Sequence, residues 1–227
     1  QTKKMLKMKK VFLLFAALFM ATVANAQFDI CIGPKLGYQT TKLSVKKENI
    51  KSDFKGNMTF GVFGRVTVKK FVVQPELLYF KSGKVLQLDV MGDEWGFANP
   101  IPNPTLTINQ SNLALPIFLG YQFLDLDLIK MRANVGPVFY FALGEAEYVV
   151  EGQDKPLEGL GDATKKSTLG GALNLGVDVW KLTLDINYSF GLSKVFNDEF
   201  KVRNESIPVA DDTKQNIFTV TLGFKFL

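Results

Sequence analysis

The chain has 227 residues, 12% of them aromatic, and a mean hydropathy of +0.09, which fits one folded domain and excludes a disordered chain. Its formal charge of +5 comes from 27 basic and 22 acidic side chains. Histidine is absent and Cys31 is the single cysteine. The composition therefore argues against histidine-based catalysis, a histidine metal site and an internal disulfide.

The first element in chain order is a secretory signal peptide, predicted over residues 1–26. Five lysines among the first ten residues precede the apolar run VFLLFAALFM, which leads to a small-residue sequence ending at Ala26. A basic start, a short apolar core and such an ending are typical of signal peptides, and the run is too short to cross a bilayer. We expect cleavage between Ala26 and Gln27, which leaves residues 27–227 as the mature domain.

The excess positive charge lies in the predicted signal peptide. Without its five lysines the chain has 22 basic residues and 22 acidic residues. Because nucleic-acid binding depends on basic side chains that neutralise phosphates, the neutral mature chain argues against a nucleic-acid partner.

Alternating apolar and polar residues recur along the mature chain and predict β-strands, whereas no stretch of useful length has the helical period. The connections after the second, fourth and sixth strands are short, at Lys69-Lys70, residues 124–128 and Trp180-Lys181, and the others are long and polar. Such sorting of short and long connections is the layout of a bacterial outer-membrane barrel. The eight predicted strands cover residues 29–42, 57–68, 71–82, 106–123, 129–143, 167–179, 182–195 and 214–226.

The fold class predicted is all-β, an eight-stranded antiparallel up-and-down transmembrane barrel with four long extracellular loops and three short periplasmic turns. One face of each strand is apolar and uncharged, as in Leu113, Leu115 and Ile117. The other face is rich in Gly, Asn, Gln, Ser and Thr, which suits the cramped interior of an eight-stranded barrel better than a wet surface. We therefore predict that the apolar face meets lipid and that the lumen is small and polar.

Charged residues on the predicted lumenal face are the candidate site. Four are basic and three are acidic, so they could pair almost completely. We favour a salt-bridge network that plugs the lumen and fixes strand register, because buried charges persist when they are paired. A relay, a gate or an acid pair of Asp178 with Asp185 is the alternative, although a shared basic partner would equally explain the proximity of those two. The seven residues are Lys35, Arg65, Glu76, Arg132, Asp178, Asp185 and Lys225.

The segment VVQPELLYF, residues 72–80, places a proline beside a carboxylate in the middle of a predicted strand. The alternation predicts that Glu76 points into the lumen and Pro75 towards lipid. Pro75 has no backbone donor, and a closed barrel has no free edge where a missing donor would be harmless. We therefore predict a bulge or a ladder end near Pro75.

Five segments carry a family resemblance: FVVQPELLYF followed by KSG, LALPIFLGYQF, RANVGPVFYFAL, LDINYSFGLSKVF and NIFTVTLGFKFL. Together they resemble the PorT-like family of small bacterial outer-membrane β-barrel proteins, with OmpA/OmpX-like architecture, over nearly all of the mature chain. The resemblance implies a barrel, and it allows a role in protein secretion, because proteins similar to PorT include secretion accessory factors beside many barrels without an assigned role. Asn187 stands where a basic residue is expected before Tyr-Ser-Phe-Gly, so no lumenal ion pair is carried over to that position.

The long loops are the remaining candidates for binding. Trp95 and Phe97 lie among turn-forming residues in the second long loop, where exposed aromatic side chains can anchor a partner, although such residues more often fold back over the barrel mouth.

We predict no catalytic residue, metal site or cofactor. We expect a non-enzymatic barrel in the bacterial outer membrane, in contact with lipid, lipopolysaccharide and other envelope proteins, that presents its loops for envelope integrity, adhesion or assembly. The alternatives are a PorT-like secretion component and a small porin-like solute pore, for which eight strands leave little room.

Overall fold

An antiparallel sheet of eight long strands closes on itself to form a barrel in the computed structural model. The strands are β1 (Phe28–Ser44), β2 (Lys55–Val68), β3 (Phe71–Leu88), β4 (Thr105–Asp125), β5 (Ile129–Val150), β6 (Ser167–Val179), β7 (Leu182–Gly191) and β8 (Lys214–Phe224). Each strand pairs with the next one along the chain, and β8 pairs with β1, which closes the barrel. The predicted closed, eight-stranded antiparallel all-β barrel is therefore confirmed.

Three shorter strands accompany the barrel among the residues that the structure describes. Ile50–Asp53 pairs with the end of β3, and Lys201–Val202 pairs with Glu205–Ser206. No helix in the described part of the chain is long and apolar enough to cross a membrane. The structure describes residues 28–44, 50–53, 55–88, 105–150, 165–194, 201–202, 205–206 and 214–226.

Short turns join the strands at one end of the barrel, which we call the turn end, and the opposite end is the loop end. The turns lie at Lys69-Lys70, residues 126–128 and Trp180-Lys181. Lys69 and Trp180 have φ angles of 57° and 53°, a left-handed conformation that is uncommon outside glycine. The predicted signal peptide with Ala26 and Gln27, most of the long loops, and Trp95 with Phe97 lie outside the described residues.

Three neighbouring strands are longer than the others. β3, β4 and β5 have 18, 21 and 22 residues, whereas β6, β7 and β8 have 13, 10 and 11. The alternation in the sequence predicts that β3 ends at residue 82 and β5 at residue 143, and both predicted ends are wrong. A strand is recognised in a sequence because one of its faces is apolar and the other is polar. That contrast is lost where a strand extends beyond the apolar outer surface of the barrel.

Side chains alternate between the outside and the inside of the barrel as predicted. Leu119, Val135 and Leu175 on the outer face are each about 60% exposed, at 58%, 60% and 58%. Gln74 and Asn174 on the inner face are buried. The predicted orientation is therefore confirmed: apolar side chains cover the outer surface, as they do in barrels that face lipid.

The lumen is not polar throughout, and the prediction of a polar lumen is wrong for its middle layer. Large apolar side chains fill that layer because the interior of an eight-stranded barrel has just enough room for side chains. The charged residues lie on the turn side of this layer, and polar side chains such as Ser82 and Asn112 lie on the loop side. The apolar cluster consists of Leu78, Phe80, Ala114, Phe118, Val138, Tyr140, Ala172 and Ile217.

Pro75 interrupts the pairing of β2 with β3 without producing a bulge. The register is the same at Phe63↔Glu76 and at Val66↔Val73, yet Gly64 and Arg65 between them are unpaired with β3. The predicted bulge is therefore absent, whereas the ladder does break off beside Pro75, as the alternative prediction of a ladder end required, before it resumes. The missing N–H of Pro75 would have faced the carbonyl of Gly64, so the ladder loses one donor and then continues in register.

Candidate functional site

The predicted site residues all lie inside the barrel, in the half nearer the turn end. Six of them occupy inward-facing positions on β1, β2, β3, β5, β6 and β7, and the seventh, Lys225, directly follows β8. Six of the seven residues are buried, and the Lys225 side chain is 14% exposed. Ion pairs connect side chains from non-adjacent strands, so the charges form one network rather than separate surface pairs.

Asp178 on β6 accepts hydrogen bonds from three cationic side chains. Arg65 Nη1 donates to Asp178 Oδ2 at 2.5 Å, and Lys225 Nζ donates to the same oxygen at 3.1 Å. Arg132 Nη1 donates to Asp178 Oδ1 at 2.5 Å. Since β2 and β6 are four strands apart in a ring of eight, the contact from Arg65 to Asp178 crosses the lumen.

Lys35 and Arg132 connect the remaining two carboxylates to the network. Lys35 Nζ donates to Glu76 Oε1 at 2.5 Å and to Asp185 Oδ2 at 2.6 Å. Arg132 Nη2 donates to Asp185 Oδ1. Asp178 and Asp185 therefore share Arg132 as a partner, which accounts for their proximity without an acid pair.

Uncharged side chains complete the network, and the sequence analysis did not single them out. Gln74 Oε1 accepts from Arg65 Nε at 2.6 Å and from Arg132 Nε at 3.2 Å, and Gln74 Nε2 donates to Glu76 Oε1 at 2.5 Å. Thr183 Oγ1 accepts from the same two arginines at 3.1 and 2.9 Å. Their inward-facing strand positions, next to charged inward positions, were the available signal.

Asn187, which departs from the family pattern, belongs to a chain of amides next to the charges. Asn174 Nδ2 donates to Asn187 Oδ1 at 2.6 Å and to Asp185 Oδ1 at 3.0 Å. Asn134 donates to the amide oxygen of Asn174. The position therefore takes part in a neutral hydrogen-bond chain instead of an ion pair.

The chemistry available to this site is ionic cross-linking of the barrel wall. Each of the three carboxylates contacts at least one ammonium or guanidinium group. Within the described residues no group of three His, Cys, Asp or Glu side chains is placed to hold a metal ion. Buried charges joined in this way are costly to separate, since removing one partner leaves the other charge without compensation.

The comparison with protein families decides the class of protein. The model of the outer membrane protein beta-barrel domain family matches residues 25–197, more than half of the chain. The chain belongs to this family. This outer membrane beta-barrel domain is therefore located in the bacterial outer membrane, in agreement with the apolar outer surface of its barrel. The narrower PorT-like assignment stays a prediction.

Two solved structures are similar to this chain at low sequence identity. Ail, the attachment invasion locus protein of Yersinia pestis, is 12% identical, with a TM-score of 0.45 over 86% of this chain and 98% of that chain. Neisserial surface protein A is 10% identical, with a TM-score of 0.43 over 86% of this chain and 97% of that chain. No curated protein matches the sequence. Neither likeness assigns a role to this chain.

Proposed function

We propose that the protein is a non-enzymatic outer-membrane barrel that holds a surface sheet and loops in position for binding partners, while its own lumen stays closed. Its partners would be lipopolysaccharide and other envelope proteins on the outside, with lipid around the barrel. Envelope integrity, adhesion and assembly with partner proteins are the roles that such a barrel can serve.

The observation that carries this proposal is a sheet that continues beyond the barrel at the loop end. β6 begins at Ser167, which pairs with Phe141, and Ala142 N donates to Lys166 O. Beyond Ala142, the edge of β5 that faces away from β4 has no strand partner among the residues that the structure describes. We call this extension the projecting sheet; it comprises residues 81–88, 105–112 and 142–150 with Ile50–Asp53.

The projecting sheet is suited to binding by its backbone. A strand edge can pair through its N–H and C=O groups with an extended segment of another chain, and this is the mode of binding that we propose for the projecting sheet. The barrel beneath it is held rigid by a closed ladder and by the charge network. A rigid base that positions a projecting surface is the usual arrangement of binding proteins.

This proposal is tested with a shortened barrel. Replacing residues 83–109 with an Asn-Gly turn would join Ser82 to Gln110, which already contact each other at 3.3 Å. It would remove the parts of β3 and β4 with which Ile50–Asp53 and the end of β5 pair. We expect the shortened protein to fold, shown by different gel mobility before and after boiling, but not to restore envelope integrity or surface binding in a deletion strain. Full restoration by the shortened protein would contradict the proposal.

The PorT-like alternative gives a different result in the same strains. A secretion component should leave the deletion strain defective in protein export and should co-purify with a large envelope complex. If export fails in the deletion strain and the shortened barrel restores it, the secretion role replaces the one proposed here.

The interior supports a barrel that does not conduct, against the pore alternative. Two layers, the charge network and the apolar cluster, fill the lumen in succession. The cavity beside the apolar cluster is lined by residues that include Gln39, Phe118 and Asn187, and it measures about 20 Å³, room for about one water molecule.

We expect purified protein in planar lipid bilayers to show no ohmic conductance. An aqueous path would have to pass the apolar cluster and separate the ion pairs behind it. The matched control is the same preparation with a porin of known conductance added, which verifies that the bilayer reports open channels. Stable conductance steps from the pure protein would overturn this expectation.

A further inference from the structure

Three successive ladders are interrupted by proline at neighbouring positions. The pairing of β3 with β4 is interrupted for two residues on each strand, and on β4 this gap ends at Pro116. The pairing of β4 with β5 has a similar gap, which ends at Pro137 on β5. The register is the same on both sides of each gap. Pro75 pairs with Ile117, and Pro116 pairs with Val138, so the gaps adjoin one another across the sheet. We call this band the proline seam; it comprises residues 64–65, 74–77, 115–118 and 136–137.

Each proline removes one donor from the ladder to the preceding strand. In the continued register, the carbonyls left without that donor belong to Gly64, Glu76 and Ile117. A Cβ atom on Gly136 would lie 2.0 Å from Ile117 O, so this carbonyl occupies space that only glycine leaves open. Backbone hydrogen bonds close the wall of a membrane barrel, and the wall is therefore weakest along the seam.

Side chains of the charge network link the strands at the seam, where backbone hydrogen bonds are missing. Gln74 and Glu76 flank Pro75, and both point inward. Gln74 accepts from Arg65 on β2 and from Arg132 on β5. Glu76 accepts from Lys35 on β1 at 2.5 Å. Side chains thus connect β3 to three other strands at the height at which its backbone ladders are incomplete.

We propose that the charge network acts as an internal latch on the proline seam. While Gln74 and Glu76 are bound, β3 stays in the wall. When the contact between Lys35 and Glu76 is broken, the wall opens locally along the seam and the rest of the barrel stays closed. Glu76 Oε2 is buried and has no hydrogen-bond partner in the part of the chain that the structure describes, so the carboxylate is held through Oε1 alone. This makes it the most easily released contact of the latch. The presence of Glu76 directly after Pro75 in the sequence then has a reason: the contact made by the acidic side chain compensates for the backbone donor that Pro75 lacks.

The proposal is tested by hydrogen–deuterium exchange on the full barrel folded in lipid bilayers. Glu76→Gln keeps the size of the side chain and removes its charge. We expect amides in segments 62–66, 72–78 and 115–119 to exchange about tenfold faster or more, since a charge-assisted hydrogen bond is weakened. Amides in segment 173–177, where β6 is paired on both sides, should exchange as in the unaltered protein.

Two further variants separate a latch from a general loss of stability. Asp29→Asn removes a carboxylate from an exposed ion pair with Lys130, 3.4 Å apart and outside the seam, and should leave the seam unchanged. Pro75→Val returns a donor opposite Gly64, and Pro75 points outward, so the new side chain meets lipid rather than the lumen. We expect Pro75→Val alone to slow amide exchange at the β2–β3 gap. In the protein that carries both substitutions, we expect Pro75→Val to reverse the effect of Glu76→Gln on exchange at that gap.

The outcomes that overturn the latch are distinct. Equal acceleration in the seam and in segment 173–177 would show that Glu76 contributes to general stability only. Unchanged exchange in Glu76→Gln, or no reversal by Pro75→Val, would show that the seam is closed without the network.

Discussion

Replacing Asp178 with alanine is expected to lower the free energy of unfolding by about 3–5 kcal/mol, the cost of leaving buried charges without their partner. The carboxylate accepts from Arg65, Arg132 and Lys225, and the first two of these donors are buried. Arg132 retains Asp185, but Arg65 keeps only neutral partners, Gln74 among them. Among the described residues, the buried charge on Arg65 then has no carboxylate within hydrogen-bonding distance.

The measurement is denaturant unfolding of the barrel folded in lipid vesicles, followed by tryptophan fluorescence and by gel mobility without boiling. Asp178→Asn keeps an acceptor oxygen and should cost less than Asp178→Ala. The matched control is Asp125→Ala at the turn end, where a 44% exposed side chain lies 3.7 Å from Lys130. An exposed pair of this kind contributes about 0–1 kcal/mol. Equal losses in Asp178→Ala and Asp125→Ala would mean that the network does not hold the barrel together.

The sequence predicts the direction of each side chain well because a strand has a period of two residues. Lys35 and Glu76 could be assigned to the lumen from alternation alone, and the structure places them there. The same alternation placed Leu175 on the outer face, where it is exposed. A closed barrel with tight turns at one end also followed from the spacing of short and long connections.

The two-residue period of a strand does not reveal how far along the barrel axis each side chain lies. Phe118 and Tyr140 occupy inward positions, as the alternation requires, but their joining into one apolar layer depends on the stagger between strands. The same stagger brings Arg65 close to Asp178, although 113 residues separate them in the chain. Composition of the inner face suggested small polar residues throughout, so the apolar layer was missed.

The missing backbone donor at Pro75 shows a second limit of prediction from the sequence. A proline in a strand indicates that one ladder bond is absent, from which the sequence predicts a bulge or a ladder end. The structure keeps the register and supports the gap with Gln74 and Glu76 instead. The compensation comes from residues on β1, β2 and β5, which no local pattern around Pro75 can reveal.

A cation introduced on the outer face of the barrel should lower the free energy of unfolding nearly as much as an uncompensated cation inside the barrel. Leu175 lies in the middle of β6, is 58% exposed, and has Ala133 and Ile186 beside it on the neighbouring strands. If this surface meets hydrocarbon, Leu175→Arg should cost about 2–4 kcal/mol, the usual penalty for arginine near the bilayer midplane.

The same substitution near the edge of the membrane separates lipid burial from a simple loss of packing. Leu182 begins β7 beside the turn at Trp180-Lys181, and its exposed fraction of 44% is comparable to that of Leu175. There the long arginine side chain can reach the headgroups, so Leu182→Arg should cost only about 0–1 kcal/mol. Both variants would be unfolded in vesicles under the same conditions. In detergent micelles, which deform around a charge more readily than a bilayer does, we expect the difference between them to shrink. Equal costs at the two positions in vesicles would contradict a depth-dependent apolar environment, and with it the orientation on which the charge network and the proline seam depend.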